Sequence, residues 1–341
     1  MTELFAGSDA SPFGRRQRRP RGARIPVTIV TGFLGSGKTT LIQRLLDTPE
    51  GANTAVVVNE FGEVGIDHAL LRGSSDATVL LGNGCICCAV RSDLEETLRT
   101  LFTDRAHGAA PSFARVIVET SGLADPGPIL QTFASERALA REFHLQSLVT
   151  VVDAVAGDDN LSRAPEARHQ AALADRIVLT KTDLADAAAT GQVTKRIREL
   201  SAAPIGTAVN GAISPSFLLD EAWFDPAARG GAHDHAHAHS GGVASFTLFF
   251  DKPLAWPVFE QAMAVLTVLR GGDLLRVKGL VAVEGCRGPV VVHAVQHVAH
   301  RPVELEDWPD GDRRSRLVFI TRNLAREPVE RLFAAVDAVT A

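Results

Sequence analysis

Short apolar runs alternate with stretches of helical spacing through the first part of the chain, up to about Asp220. The runs at residues 26–31, 54–58, 77–81, 115–118, 148–152 and 176–180 are rich in Val, Ile and Leu, with few polar positions. Near-continuous apolar runs of this length predict strands buried on both faces, as in a parallel sheet. Residues 39–46, 92–102 and 164–174 place apolar side chains at helical intervals instead. This alternation predicts an α/β domain with a doubly wound, mainly parallel sheet.

Residues 223–242 interrupt the pattern with Gly, Ala and His and no apolar periodicity, so they read as a linker. A second apolar pattern then begins at residues 245–250. It predicts a helix over 254–269, strands at 274–283, 290–295 and 317–321, and a closing helix over about 327–339. The expected organisation is a basic tail at 1–24, an α/β domain at 25–222, the linker at 223–242 and a smaller α+β domain at 243–341. Arginines at 15, 16, 18, 19, 21 and 24 stand among Gly, Ser and Pro with no apolar segment behind them, so the tail reads as disordered and not as a secretory signal.

Gly32, Gly35, Ser36, Gly37, Lys38 and Thr39 fit G-x-x-x-x-G-K-[ST] between the first predicted strand and helix. In that context, glycines let backbone N–H groups close around phosphate oxygens at a helix amino end. Lys38 would neutralise the β- and γ-phosphates and the Thr39 hydroxyl would ligate Mg²⁺, with Thr40 beside them. A second acidic element is expected at another strand end, and Glu119 in VETSG supplies it, with Gly122 offering its N–H to the γ-phosphate. Thr180, Lys181 and Asp183 in TKTDL are similar to the guanine-reading N-K-x-D element, with Thr180 in place of Asn. A carboxylate at Asp183 can accept from guanine N1 and N2, which favours GTP over ATP.

Cys85, Cys87 and Cys88 hold three of the chain's four cysteines. Soft thiolates so spaced suit Zn²⁺, although adjacent cysteines do not easily bind one ion together and no second C-x-x-C pair completes a closed site. Glu60, Glu63 and Asp67 in NEFGEVGID are candidates for an oxygen ligand or a contact with Mg²⁺. His233, His235, His237 and His239 suit low-affinity metal capture within the linker. Cys286 stands alone and reads as a small buried residue. With a net charge of −5 and no apolar run long enough to span a bilayer, neither nucleic-acid affinity nor membrane insertion is expected. Cysteine usage without a signal points to the cytoplasm.

The ordered texts TGFLGSGKTTL, NEFGEVGID, GNGCICC, VETSGLADP and TKTDL, with the His-rich linker and LLRVKGLV, resemble the CobW-like family of metallochaperone GTPases in the SIMIBI class of P-loop proteins. The resemblance implies GTP hydrolysis with Mg²⁺, carriage of Zn²⁺ or Co²⁺ at Cys85, Cys87 and Cys88, and delivery to a client metalloprotein. It also implies that Gly32 to Thr39 hold phosphate and Mg²⁺, that Glu119 is the acidic Mg²⁺ partner, and that Lys181 and Asp183 read the base. The rival readings are a zinc storage or sensing protein with a regulatory GTP site, and a small-molecule kinase. No arginine-bearing lid near the loop supports the kinase.

Overall fold

The computed structural model describes residues 24–59, 78–80, 89–136, 138–220, 243–299 and 302–340. They divide into two compact units, one on each side of the histidine-rich segment.

The N-terminal unit runs β1 (Ile25–Thr31), α1 (Lys38–Leu46), a short 3₁₀ turn (Pro49–Gly51), β2 (Thr54–Asn59), β3 (Thr78–Leu80), α2 (Ala89–His107) and β4 (Arg115–Thr120). It continues through α3 (Gly127–Ser135), α4 (Leu139–Glu142), β5 (Phe143–Asp153), α5 (Gly157–Arg163), α6 (Pro165–Leu173), β6 (Arg176–Thr180), α7 (Ala187–Leu200), β7 (Ile205–Ala208) and α8 (Pro215–Leu219). The seven strands form one sheet in the order β3-β2-β4-β1-β5-β6-β7, and every pairing is parallel.

Both faces of this sheet are covered, which is why its strands read as unbroken apolar runs. Val149, Val151 and Val178 face a cluster with Leu41, Ile42 and Leu45 of α1. Their neighbours Val152, Ile177 and Leu179 face the opposite cluster, with Leu161 of α5, Ala167 and Ala171 of α6, and Val193 and Ile197 of α7. The strand period of two thus feeds two cores from one run.

The expected elements are found with shifted ends. The strand expected at 148–152 starts at Phe143, and residues 144–146 are only half-buried, which hides the strand from an apolar-run criterion. The helix expected at 92–102 extends over Ala89–His107. Helices α3, α4, α5, α7 and α8 and strand β7 lie outside the stretches named from the pattern; β7 is short and half-exposed.

The C-terminal unit contains β8 (Val243–Phe250), α9 (Trp256–Arg270), β9 (Leu274–Val281), β10 (Val290–Val295), β11 (Val298–Ala299), β12 (Val303–Glu304), β13 (Ser315–Arg322) and α10 (Arg326–Thr340). Its sheet is antiparallel in the order β11-β10-β9-β13-β8, with β12 also paired to β10. Helices α9 and α10 place Phe259, Leu266, Val329 and Phe333 on one sheet face, around a stacked Phe246–Phe319 pair with centroids 5.4 Å apart. This is the α+β unit expected from the pattern. Among the described residues, no helix is long and apolar enough to cross a membrane.

Candidate nucleotide site

Parallel strands deliver their carboxyl ends to one edge of a sheet, and crevices there are where ligands of open α/β sheets bind. Here that edge gathers the ends of β1, β4, β5 and β6. Register fixes the arrangement: Glu119 of β4 pairs with Val30 of β1 on one side and Val58 of β2 on the other, and Asp153 of β5 pairs with Thr180 of β6.

The loop from Gly32 to Thr39 leaves β1 and opens α1. Gly32 has φ 145°, and a Cβ there would lie 2.2 Å from the Val151 carbonyl oxygen, so only glycine fits. Gly37, with φ 94°, is the left-handed residue from whose carbonyl the first helical bond runs, accepting from the Leu41 N–H at 2.9 Å. Gly32→Ala is expected to lower the stability of the N-terminal unit by at least about 2 kcal/mol, combining backbone strain and overpacking. Denaturant unfolding checks this, and an unchanged midpoint would contradict the close approach.

The Lys38 ammonium donates to the carbonyls of Gly32 at 2.9 Å and Phe33 at 3.2 Å, which folds the charge back over the loop. Ser36 is buried, and its hydroxyl has no hydrogen-bond partner among the described residues. The loop therefore carries a polar atom that solvent does not satisfy, as a cradle for an anion would. The Thr39 hydroxyl donates to Glu119 Oε1 at 2.7 Å, joining the start of α1 to the end of β4. Two hard oxygens from separate elements, side by side at the loop, are the donor set that suits Mg²⁺. Thr40 is exposed on the first turn of α1.

Beyond Glu119 the chain turns back against the loop. A Cβ on Gly122 would lie 2.6 Å from Leu34 Cδ2 and 2.8 Å from the Leu34 nitrogen, so the two backbones touch only because Gly122 has no side chain. The end of β6 is latched to the same loop, because the Thr180 hydroxyl donates to the Ser36 carbonyl at 2.6 Å. Thr180, in the place expected for Asn, thus makes a loop-holding hydrogen bond of its own. Lys181 adopts φ 56°, and its ammonium donates to the Gly35 carbonyl at 2.8 Å and to Asp153 Oδ2 at 2.5 Å. Asp183 is exposed in the turn that Leu184 N–H closes on the Lys181 carbonyl at 3.0 Å. Its carboxylate is open to a base lying over the Lys181 stem.

Two residues of this edge went unread in the sequence. Asp153 pins Lys181 while its other oxygen accepts from the Val155 N–H at 2.7 Å. Its signal was an acid ending a buried strand, level with Thr180 in the next one. Gln170, fully buried on α6, reaches the turn after Glu119. Its signal was a polar residue breaking the Ala167, Ala171 and Ala174 stripe.

Glu60, Glu63, Asp67, Cys85, Cys87, Cys88, His233, His235, His237 and His239 lie outside the described residues, as does nearly all of the basic tail. Among the described residues, no three His, Cys, Asp or Glu side chains gather as a metal site. Cys286 is half-buried against the C-terminal core, and burial, followed by the nearby Glu304, pushes its thiol up to about 11. It is neutral at ordinary pH and suited to packing.

The whole chain has recognisable relatives. Residues 26–205 match the family described as CobW/HypB/UreG, nucleotide-binding domain, and residues 243–337 match the Cobalamin synthesis protein cobW C-terminal domain. The zinc chaperone YjiA of Escherichia coli is 33% identical over 320 residues, covering 92% of this chain and 98% of that protein. The zinc chaperone CobW of Pseudomonas aeruginosa is 33% identical over 341 residues, covering 89% of this chain and 88% of that one. The crystal structure of the Zn(II)-bound YjiA GTPase from E. coli superposes with a TM-score of 0.70 at 29% identity, covering 92% of this chain and 99% of that one. With the phosphate loop, its acidic partner and the second unit in the family's order, the chain belongs to the CobW/HypB/UreG family and carries the CobW C-terminal domain.

Proposed function

We propose that this protein is a GTP-hydrolysing metallochaperone of the cytoplasm. It binds Zn²⁺, with Co²⁺ as the alternative cargo, at Cys85, Cys87 and Cys88, and delivers it to a client metalloprotein. The carrying observation is the meeting of Thr39, Glu119, Thr180 and Lys181 at one sheet edge, tied by the 2.7 Å Thr39–Glu119 and 2.6 Å Thr180–Ser36 hydrogen bonds. The names of the zinc-chaperone relatives support the cargo.

In this reading, residues 32–39 wrap the phosphates with backbone N–H groups. Lys38 offsets charge that develops between the β- and γ-phosphates. Mg²⁺, held by Thr39 and Glu119, would supply charge neutralisation at the phosphate oxygens. Gly122 presents its N–H on the γ-phosphate side, next to Leu34. Lys181, fixed by Asp153, lays its stem under the base, and Asp183 pairs with guanine N1 and N2.

The sheet order supports a link between nucleotide and metal. The chain enters the cysteine segment from β3 and the NEFGEVGID segment from β2; these strands are neighbours, and β2 lies beside β4, which carries Glu119 next to its end. Energies limit what that link can do. A structural zinc site is worth about 10–16 kcal/mol, and a switch usually couples two sites by about 1–3 kcal/mol. Nucleotide state alone does not empty such a site, so ligands from the client must take part. The C-terminal domain, residues 243–341, is the proposed docking module. Val268 and Leu269 at the end of α9 and Val339 at the end of α10 stand 71–84% exposed there.

Calorimetry with Mg²⁺ tests the nucleotide half. GTP is expected to bind, ATP is expected to bind far more weakly, and Asp183→Asn should turn the preference toward xanthine nucleotides. Equal affinity for GTP and ATP would remove the base assignment. Replacing Cys85, Cys87 and Cys88 by Ser tests the other half; the reading fails if tight zinc binding survives.

A further inference from the structure

The turn that follows Glu119 is gripped by α6 as well as by the phosphate loop. Gln170 of α6 is fully buried, and its amide nitrogen donates to the carbonyls of Gly122 at 3.1 Å and Ala124 at 2.9 Å. Both amide protons are thus used on one turn of backbone. The Gln170 backbone carbonyl accepts from the Thr150 hydroxyl of β5 at 2.7 Å, which seats the helix on the sheet. One residue earlier, His169 Nδ1 stands 3.3 Å from Asp125 Oδ2, while Asp125 Oδ1 accepts from the Gly127 N–H at the start of α3 at 2.8 Å.

A fully buried carboxamide is costly to place unless its hydrogen bonds are made. Here both donors are spent on the two carbonyls that flank exposed Leu123, while the side-chain Oε1 has no hydrogen-bond partner among the described residues, and Ala124 N–H closes the same turn on the Ser121 carbonyl at 3.0 Å. Gly122 is also pressed against Leu34 of the phosphate loop. The turn is therefore held by contacts from both the phosphate loop and α6: Gln170 fixes the peptide planes that follow Gly122 and Ala124, and the Ala124 N–H fixes the one that precedes Gly122.

We propose that Gln170 is a positioning residue for γ-phosphate recognition. By fixing the carbonyls of Gly122 and Ala124, it holds the Ser121–Ala124 turn in place, so that the Gly122 N–H at its head stays presented toward the position of the γ-phosphate, and it makes α6 the element that registers whether GTP or GDP is bound. This rests on the GTPase reading above. The β-phosphate contacts come from the loop at 32–39, so Gln170 acts on triphosphate affinity and leaves diphosphate affinity alone.

Gln170→Met keeps the side-chain length and removes both donors. Its affinity for a non-hydrolysable GTP analogue with Mg²⁺ is expected to fall by about 5–150-fold, the range of ordinary coupling between sites, with GDP affinity unchanged. Thr150→Val loosens the seat of α6 without touching the two donors, and it should keep the wild-type ratio of analogue to GDP affinity while lowering the melting temperature. An unchanged ratio in Gln170→Met overturns the proposal. So does a Thr150→Val variant that loses the ratio equally, because the effect would then be one of packing. Should Gln170→Met not fold, hydrogen exchange on the wild-type chain decides. Exchanging GDP for the analogue must slow exchange both at 122–126 and in α6 around Gln170, and protection of the turn alone overturns the assignment. A wild-type chain that binds no guanine nucleotide would instead remove the parent reading, and it is recognised before any variant is made.

Discussion

Lys38→Ala is expected to lower GTP hydrolysis by about 10²–10³-fold, the usual loss when one fixed charge-stabilising donor is removed. The ammonium sits over the loop, donating to the Gly32 and Phe33 carbonyls, where phosphate charge would replace those carbonyls as its partner. The cost to the fold is modest. Two carbonyls lose a donor, for about 1–3 kcal/mol, against about 5–15 kcal/mol for a typical domain. Phosphate release and a circular-dichroism melt, measured side by side, separate the two effects. Phosphate release at the wild-type rate would show that this loop is not the hydrolytic site.

The second large effect concerns metal affinity. Zinc should bind about 5–150-fold more tightly with a non-hydrolysable GTP analogue than with GDP, as a coupling of about 1–3 kcal/mol requires. Zinc must then raise the affinity of the analogue by the same factor, because linkage is reciprocal. Replacing Cys87 and Cys88 by Ser should remove both effects and spare nucleotide binding, since the residues proposed to contact phosphate and base follow β1, β4 and β6. Competition against a chromophoric zinc chelator in the two nucleotide states measures the factor. Identical zinc affinities would favour a storage or sensing protein whose GTP site stands apart from the metal.

The architecture was largely legible because parallel strands buried on both faces leave unbroken apolar runs. The phosphate loop was legible because its glycines answer to backbone geometry, as Gly32 against Val151 shows. What escaped was information carried by long-range contact. The Thr180 substitution reads in sequence as the loss of an amide, yet its hydroxyl holds the Ser36 carbonyl 144 positions away. Asp153 is one acid among many until Lys181 is seen against it. Gln170 becomes meaningful only when the turn at Gly122 is folded beneath it. Strand β5 lost its first residues to the same cause, since half-buried positions obey tertiary packing more than local pattern.

Strand β3 is described over Thr78–Leu80, pairs with β2 alone among the described strands, and stands last in the strand order of the described sheet. A strand paired on one side opens at a lower free energy than strands flanked on both sides. The cysteine segment continues directly from it, whereas Glu119 and Thr180 end strands flanked by two neighbours. Fraying of β3 would therefore loosen the tether of the cysteine segment while the nucleotide stays in place. If the proposed metal site is there, the lifetime of its cargo would be set by sub-global opening at this strand, while the flanked strands that carry Glu119 and Thr180 stay paired.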